Sequence, residues 1–148
     1  MTENLNERYF KHGPNLSLYR NISEHKEYWD QYWGIKKIKY LHNNATNLEL
    51  GEFKEPFHKY LPKESPILEA GCGAGKLVWI LRALGYKIEG IDFAEETIGK
   101  IKQVDSSLDV RIGNINAIDR PDNFYGGYIS IGVLEHSFQG QEHSIAEA

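Results

Sequence analysis

Glu69-Ala70-Gly71-Cys72-Gly73-Ala74-Gly75 follows directly on the apolar pair Ile67-Leu68, and its reading decides the fold. An acidic residue closes a short strand, glycines occupy positions 71, 73 and 75, and an amphipathic run begins at Lys76. Glycine has no Cβ and tolerates positive φ, so such a turn lets main chain approach a ligand that side chains would hold off. Glycine-rich turns between strand and helix hold nucleotide-like cofactors. Spacing then narrows the choice. A dinucleotide turn carries its third glycine or alanine five residues after the first, where it packs helix against strand. Here that position is Lys76, and the third glycine comes one residue early.

Outward from this turn, the pattern alternates. Ile67 to Ala70 reads as a buried strand, and Lys76 to Leu84 as a helix with Leu77, Ile80, Leu81 and Leu84 on one face, stopped by Gly85. Lys87 to Asp92 reads as the next strand, Glu95 to about Val104 as a helix, and Asp109 to Asn114 as a third strand. The fourth strand is expected at Tyr128-Ile129-Ser130-Ile131. Strands alternating with helices predict parallel βαβ units with right-handed crossovers, a doubly wound α/β fold. Ligands of such sheets collect at the carboxyl ends of the strands. Those ends are Glu69, Asp92, Asn114 and Gly132.

The 61 residues before this core read differently. Thr2 to about Ser23 is polar and weakly periodic, expected as an arm with a short helical turn. A helix is predicted from Glu24, where Tyr28 and Tyr32, and Trp29 and Trp33, pair at i, i+4 as one aromatic face. That face reads either as core or as a lid, and Gly34 is placed to break or kink the helix. A second helix is predicted from about Leu48 to Leu61, with Pro56 kinking it or marking its true start. Pro62 to Pro66 links this segment, residues 1–61, to a domain over residues 62–148.

Composition bounds the function. With 148 residues, 41% hydrophobic and 26% charged, the chain is long and apolar enough for one real core. A net charge of −4 argues against a nucleic-acid partner. The single cysteine cannot form an internal disulfide, which fits a reducing, cytoplasmic setting. No apolar run approaches the ~20 residues of a membrane helix. The six histidines show no metal-ligand spacing.

The ordered motifs between Pro62 and Ala148 resemble those of the class I S-adenosylmethionine-dependent methyltransferases, and specifically the members acting on small molecules. The resemblance implies that Glu69, Ala70, Gly71, Cys72, Gly73 and Gly75 lie along the methionine and ribose portions of the cofactor, with Glu69 orienting the loop and the amino group. Asp92, twenty-one residues after Gly71, would accept hydrogen bonds from the ribose hydroxyls, and Phe93 would pack on adenine. A helix-capping role is the plain alternative for Asp92. Where many relatives have serine, this chain has Ala94, so the following helix lacks a capping hydroxyl. Asn114, with Ile115 beside it, falls where the family usually has an aspartate reading the adenine amino group; its side-chain oxygen can still accept. Gly132 and Val133 would contact the methionine end. His136, in Glu135-His136, would position an acceptor or take a proton, or else simply close the loop.

A complete class I domain has seven strands ordered 3-2-1-4-5-7-6, and this sequence supplies 3-2-1-4. The expectation is therefore an amino-terminal, truncated part of a methyltransferase, its fourth strand an exposed edge able to form a homodimer. Its acceptor would be a small molecule. Two other readings stand beside it: an NAD(P)-dependent oxidoreductase, disfavoured by the early third glycine, and a non-catalytic nucleotide-binding or assembly module.

Overall fold

The computed structural model describes residues 7–12, 15–20, 26–136 and 141–148. Its centre is a four-stranded parallel sheet: β3 (Ile67–Ala70), β4 (Ile88–Asp92), β5 (Val110–Ile112) and β6 (Gly127–Ile129), in the order β5-β4-β3-β6. Taken by order of appearance within the sheet, this is the predicted 3-2-1-4. Ile67 pairs with Ile88 on one side and Gly127 on the other, so β3 is central and both faces must be covered. The sequence dictates that cover: β3 and β4 are buried at every position.

One face carries α4 (Lys76–Ala83) and α5 (Glu95–Val104). Against them pack α1 (Lys26–Tyr32) and α2 (Ile35–Asn44), while α3 (Lys54–Tyr60) adds Phe57 to the same core. A single core runs through both layers, with Ile38, Leu41 and Phe57 in the same cluster as Ile67, Val78 and Ile101. This second layer rotates the expected face of α4. Val78, Trp79, Ile80 and Leu81 are buried, whereas the predicted Leu84 is 46% exposed. Trp79 packs edge-on against the His42 ring of α2, with ring centres 5.0 Å apart and planes inclined at 63°. Periodicity could not reveal this, because a helix covered on two sides has no polar stripe.

The other face buries Leu68, Ala70 and Ile91 beneath Ile115, Ile118, Tyr125 and Tyr128. A charge cluster ties this covering segment down. Glu89 accepts from Arg120 Nη2 at 2.9 Å, from Arg111 Nη2 at 3.2 Å and from the Tyr125 hydroxyl. Burial alone would raise the Glu89 carboxyl, but Tyr125 and the two guanidiniums outweigh it and hold the group below the ordinary carboxylate range. The cluster therefore stabilises the fold above that range and is lost as pH falls through the lowered value.

Several boundaries moved. The expected arm instead contains an antiparallel hairpin, β1 (Glu7–His12) with β2 (Asn15–Arg20), paired Glu7 to Arg20 and His12 to Asn15. The two runs flank Gly13-Pro14, a turn-forming dipeptide whose weight was underestimated. Gly34 ends the first helix outright, standing in extended conformation ahead of α2. The predicted helix from Leu48 is a 3-10 turn at Gly51–Phe53 followed by α3, so Pro56 sits in a first turn, where its missing N–H costs nothing. The third strand stops at Ile112 and the fourth at Ile129, two residues short of each expectation. The described chain ends in a short helix, α6 (Glu142–Glu147).

Candidate functional site

The glycine turn leaves β3 with every glycine left-handed: Gly71 at φ +79°, Gly73 at +51° and Gly75 at +75°. The first two are also spatially confined. A Cβ on Gly71 would lie 2.5 Å from Val133 Cγ2, and one on Gly73 would lie 2.8 Å from the Trp33 ring. Main-chain bonds lock the turn to the sheet, since the Ile91 carbonyl accepts from both Gly71 N and Cys72 N, at 2.8 and 2.9 Å. Trp79 Nε1 donates to the Ala74 carbonyl from within α4. Backbone therefore forms the wall of the cavity that opens here, about 780 Å³ in volume.

Two acidic side chains hold the turn from below. Asp92, at the end of β4, accepts from Gly73 N through Oδ2 at 2.8 Å and from Ala94 N through Oδ1 at 2.9 Å. It both braces the glycine loop and ties down the residue ahead of α5, without reaching a first-turn amide of that helix. The Phe93 main chain adds a third favourable contact to this carboxyl. Burial raises its carboxyl against the pull of these amides. Glu69 is buried too, at 7% exposure, and is no solvated strand end. Its Oε2 accepts from Val78 N at 3.1 Å, satisfying a first-turn donor of α4 that has no partner within the helix.

Burial, aided by the neighbouring Asp92, pushes Glu69 up to about 8 from its ordinary 4.5. A carboxyl that holds its proton more tightly when folded stabilises the fold fully below about 4.5, and that stability is lost as pH rises through about 8. Glu69→Gln, a neutral isostere, should flatten this part of the profile. Urea midpoints measured between about pH 5 and about pH 8 will test it. Parallel profiles for the two proteins would count against the assignment.

The remaining predicted residues fall around one cavity. Gly71, Cys72 and Gly73 line it with Glu69, Asp92 and Phe93, and so do Asn114, Ile115, Gly132, Val133 and His136. Ala70 is wholly buried behind the turn, and Gly75 stands at the start of α4 against Leu108 and Trp79. Asn114 Oδ1 accepts from Asn116 N at 2.9 Å, so one of its lone pairs is committed to a local turn. The Cys72 thiol is buried, and burial with the nearby carboxyls raises it well above the ordinary thiol value, which makes it a packing residue rather than a nucleophile. It folds back onto β4, where a Cβ on Gly90 would meet its Cβ and Sγ at 2.8 Å.

Sequence reasoning left the aromatic helix open between core and lid, and the structure puts its two indoles in the cavity wall. Trp33 lies on Gly73, Trp29 stands edge-on to the His136 ring at 5.1 Å, and Tyr32 is 54% exposed. Further walls come from Leu50 and Phe53 ahead of α3 and from His143 and Ser144 of α6, none of which any motif marks. Among the described residues no group of three or more side chains could hold a metal ion, and no helix is long and apolar enough to cross a membrane.

A parallel sheet in this order, a glycine turn after its central strand and an acid at the end of the adjacent strand define a Rossmann-like methyltransferase fold. The family described as Methyltransferase domain matches residues 67–148, more than half of the chain, and this protein belongs to it. A tRNA N(3)-methylcytidine methyltransferase of Schizosaccharomyces pombe is 33% identical over 84 residues, covering 53% of this chain and 27% of that protein. A probable S-adenosylmethionine-dependent methyltransferase of Mycolicibacterium smegmatis is 29% identical over 70 residues, covering 47% of this chain and 27% of that one. The chain thus spans about a quarter of the length of these curated relatives. The cofactor is S-adenosylmethionine, which sets aside the nicotinamide reading. The structure suits it: a cradle that Cβ atoms would fill, and buried carboxyls facing a cavity within the usual size range for small ligands.

Proposed function

We propose that this chain holds S-adenosylmethionine along the carboxyl edge of its sheet for methyl transfer to a small-molecule acceptor. One observation carries the reading: the two glycines without room for a Cβ, Gly71 and Gly73, open on the same cavity as Glu69 and Asp92. In this reading residues 62–148 bind the cofactor and residues 1–61 cover it. Asp92 receives the ribose hydroxyls, Phe93 and Ile115 flank the adenine, and Asn114 meets its edge. The main chain from Gly71 to Gly73, with Gly132 and Val133, supports the methionine end. The buried acid of Glu69 faces the amino group and gives up its proton when that cation arrives.

The bound sulfonium supplies an electrophilic methyl group, and no covalent enzyme intermediate is needed. The chain's part is to exclude water with Trp29, Trp33 and Phe53 and to align the acceptor; positioning of this kind is worth up to about 7–11 kcal/mol. His136, on the cavity wall beside Trp29, takes the acceptor's proton when the acceptor has one to lose. A second reading, an RNA acceptor, is favoured by the tRNA-modifying relative and opposed by the net charge of −4.

Calorimetry with S-adenosylhomocysteine and NAD, followed by transfer of labelled methyl to a small-molecule panel and to bulk tRNA, tests these readings. Binding of the first ligand alone, with label in a small molecule, is expected. Label in RNA would replace the acceptor class, and absence of S-adenosylhomocysteine binding would remove the cofactor site. Among the described residues β6 has a partner strand on one side only, so a homodimer through that edge belongs to the same proposal, and light scattering reads it out.

A further inference from the structure

α5 begins without a cap of its own. Ala94 precedes it in extended conformation and offers no side-chain acceptor, which leaves the first-turn donors of the helix to be satisfied from elsewhere. The acceptor for Thr97 comes from a different layer. Asp30 Oδ1, on α1, accepts from Thr97 N at 2.7 Å and from Thr97 Oγ1 at 2.8 Å. Lys100 Nζ donates to the Asp30 carbonyl at 2.7 Å, so main chain and side chain of the same residue are both held. Sixty-seven positions separate Asp30 from Thr97, and the bonds exist only when α1 is docked.

The carboxylate is 7% exposed, and burying such a group is costly unless it is fully hydrogen-bonded. An apolar residue would suffice to pack α1 on α5. A carboxylate forking onto one threonine does more, because it fixes the rotation of α1 about its axis. What that rotation aims is plain from the neighbours. Trp29 precedes Asp30 and stands against His136, while Trp33 follows one turn later and lies on Gly73. The contacts close into a ring. Gly73 N binds Asp92, Asp92 binds Ala94 N at the start of α5, Thr97 in that same turn binds Asp30, and α1 returns Trp33 to Gly73.

We propose that Asp30 is a positioning residue for cofactor binding: by capping α5 in trans it sets the two indoles that wall the cavity over the glycine turn. This rests on the cofactor reading above and goes beyond it, since Asp30 does not line the cavity.

The test uses the full chain with S-adenosylhomocysteine as probe, following affinity by calorimetry, indole emission and thermal midpoint. Wild type must bind first; failure there defeats the cofactor reading and leaves Asp30 out of account. Asp30→Ala is expected to weaken binding about tenfold or more and shift indole emission to the red as Trp33 hydrates. Asp30→Asn keeps an acceptor for Thr97 N and should recover most of the affinity. Thr97→Val removes only the hydroxyl bond, and a loss of about two- to fivefold is expected with circular dichroism unchanged. Should Asp30→Ala fail to fold, Thr97→Val still decides. A lowered midpoint with wild-type affinity and emission in the alanine or valine variant would make Asp30 a structural cap only and overturn the proposal.

Discussion

Gly71→Val is expected to abolish measurable binding of S-adenosylhomocysteine while far-ultraviolet circular dichroism stays close to wild type. Two effects add. The residue stands at φ +79°, where a β-branched side chain is strained by about 1–3 kcal/mol. Its Cβ would also lie 2.5 Å from Val133 Cγ2, a contact that no rotamer of the new side chain avoids, because the Cβ itself collides. Either the turn or the segment after β6 must move, and both wall the cavity. A loss of about two orders of magnitude in affinity corresponds to only ~2.7 kcal/mol, within the range of the φ strain alone. The double variant Gly71→Ala with Val133→Ala removes the two closest clashes, leaves a tight Cβ–Cβ approach of 3.2 Å and keeps the φ strain, so partial recovery is expected. Wild-type affinity in Gly71→Val would mean that the ligand does not approach this turn.

Asp92→Ala should have the largest combined effect on stability and binding. It strips the acceptor from two main-chain donors at once, Gly73 N and Ala94 N, both now bonded below 3 Å. Each buried donor left unpaired costs about 1–3 kcal/mol, so a total near 3 kcal/mol is expected in urea denaturation. Affinity for S-adenosylhomocysteine should fall about 10–100-fold, the scale for losing hydrogen bonds to a charged acceptor. Asp92→Asn keeps one acceptor oxygen and sets an NH₂ against the other donor, so its stability should fall between the two. If Asp92→Ala loses stability yet binds with wild-type affinity while still folded, Asp92 is a brace for the turn and the ribose assignment is wrong.

These two residues also show what can be read without coordinates. The alternate glycines from Gly71 to Gly75, behind Ile67-Leu68 and ahead of an amphipathic run, stand in one local element, and local elements write their conformational demands directly into residue type. The acid at Asp92 was legible for the same reason, because strand length places it at a carboxyl end. Alternation gave the parallel βαβ units and their handedness, whereas the order of the strands came from the family resemblance. The hairpin of Glu7–His12 with Asn15–Arg20 was missed because its strands are short and mix charged with apolar residues, which blurs a two-residue period.

What the sequence by itself determined is the doubly wound sheet, the class of cofactor turn and the strand ends that face it, since each depends on neighbours within a few residues. Only the tertiary structure decided that Asp92 binds Gly73 and Ala94 together, that Glu69 is a buried acid raised to about 8, and that Val133 and Trp33 are what forbid a Cβ on the turn. It also decided that α4 buries Trp79 on its second side, under α2, and that α5 takes its cap from Asp30. The reason is physical. Burial, and with it the energy of a charge or a hydrogen bond, is set by groups that chain folding brings from dozens of residues away, and no local pattern encodes their arrival.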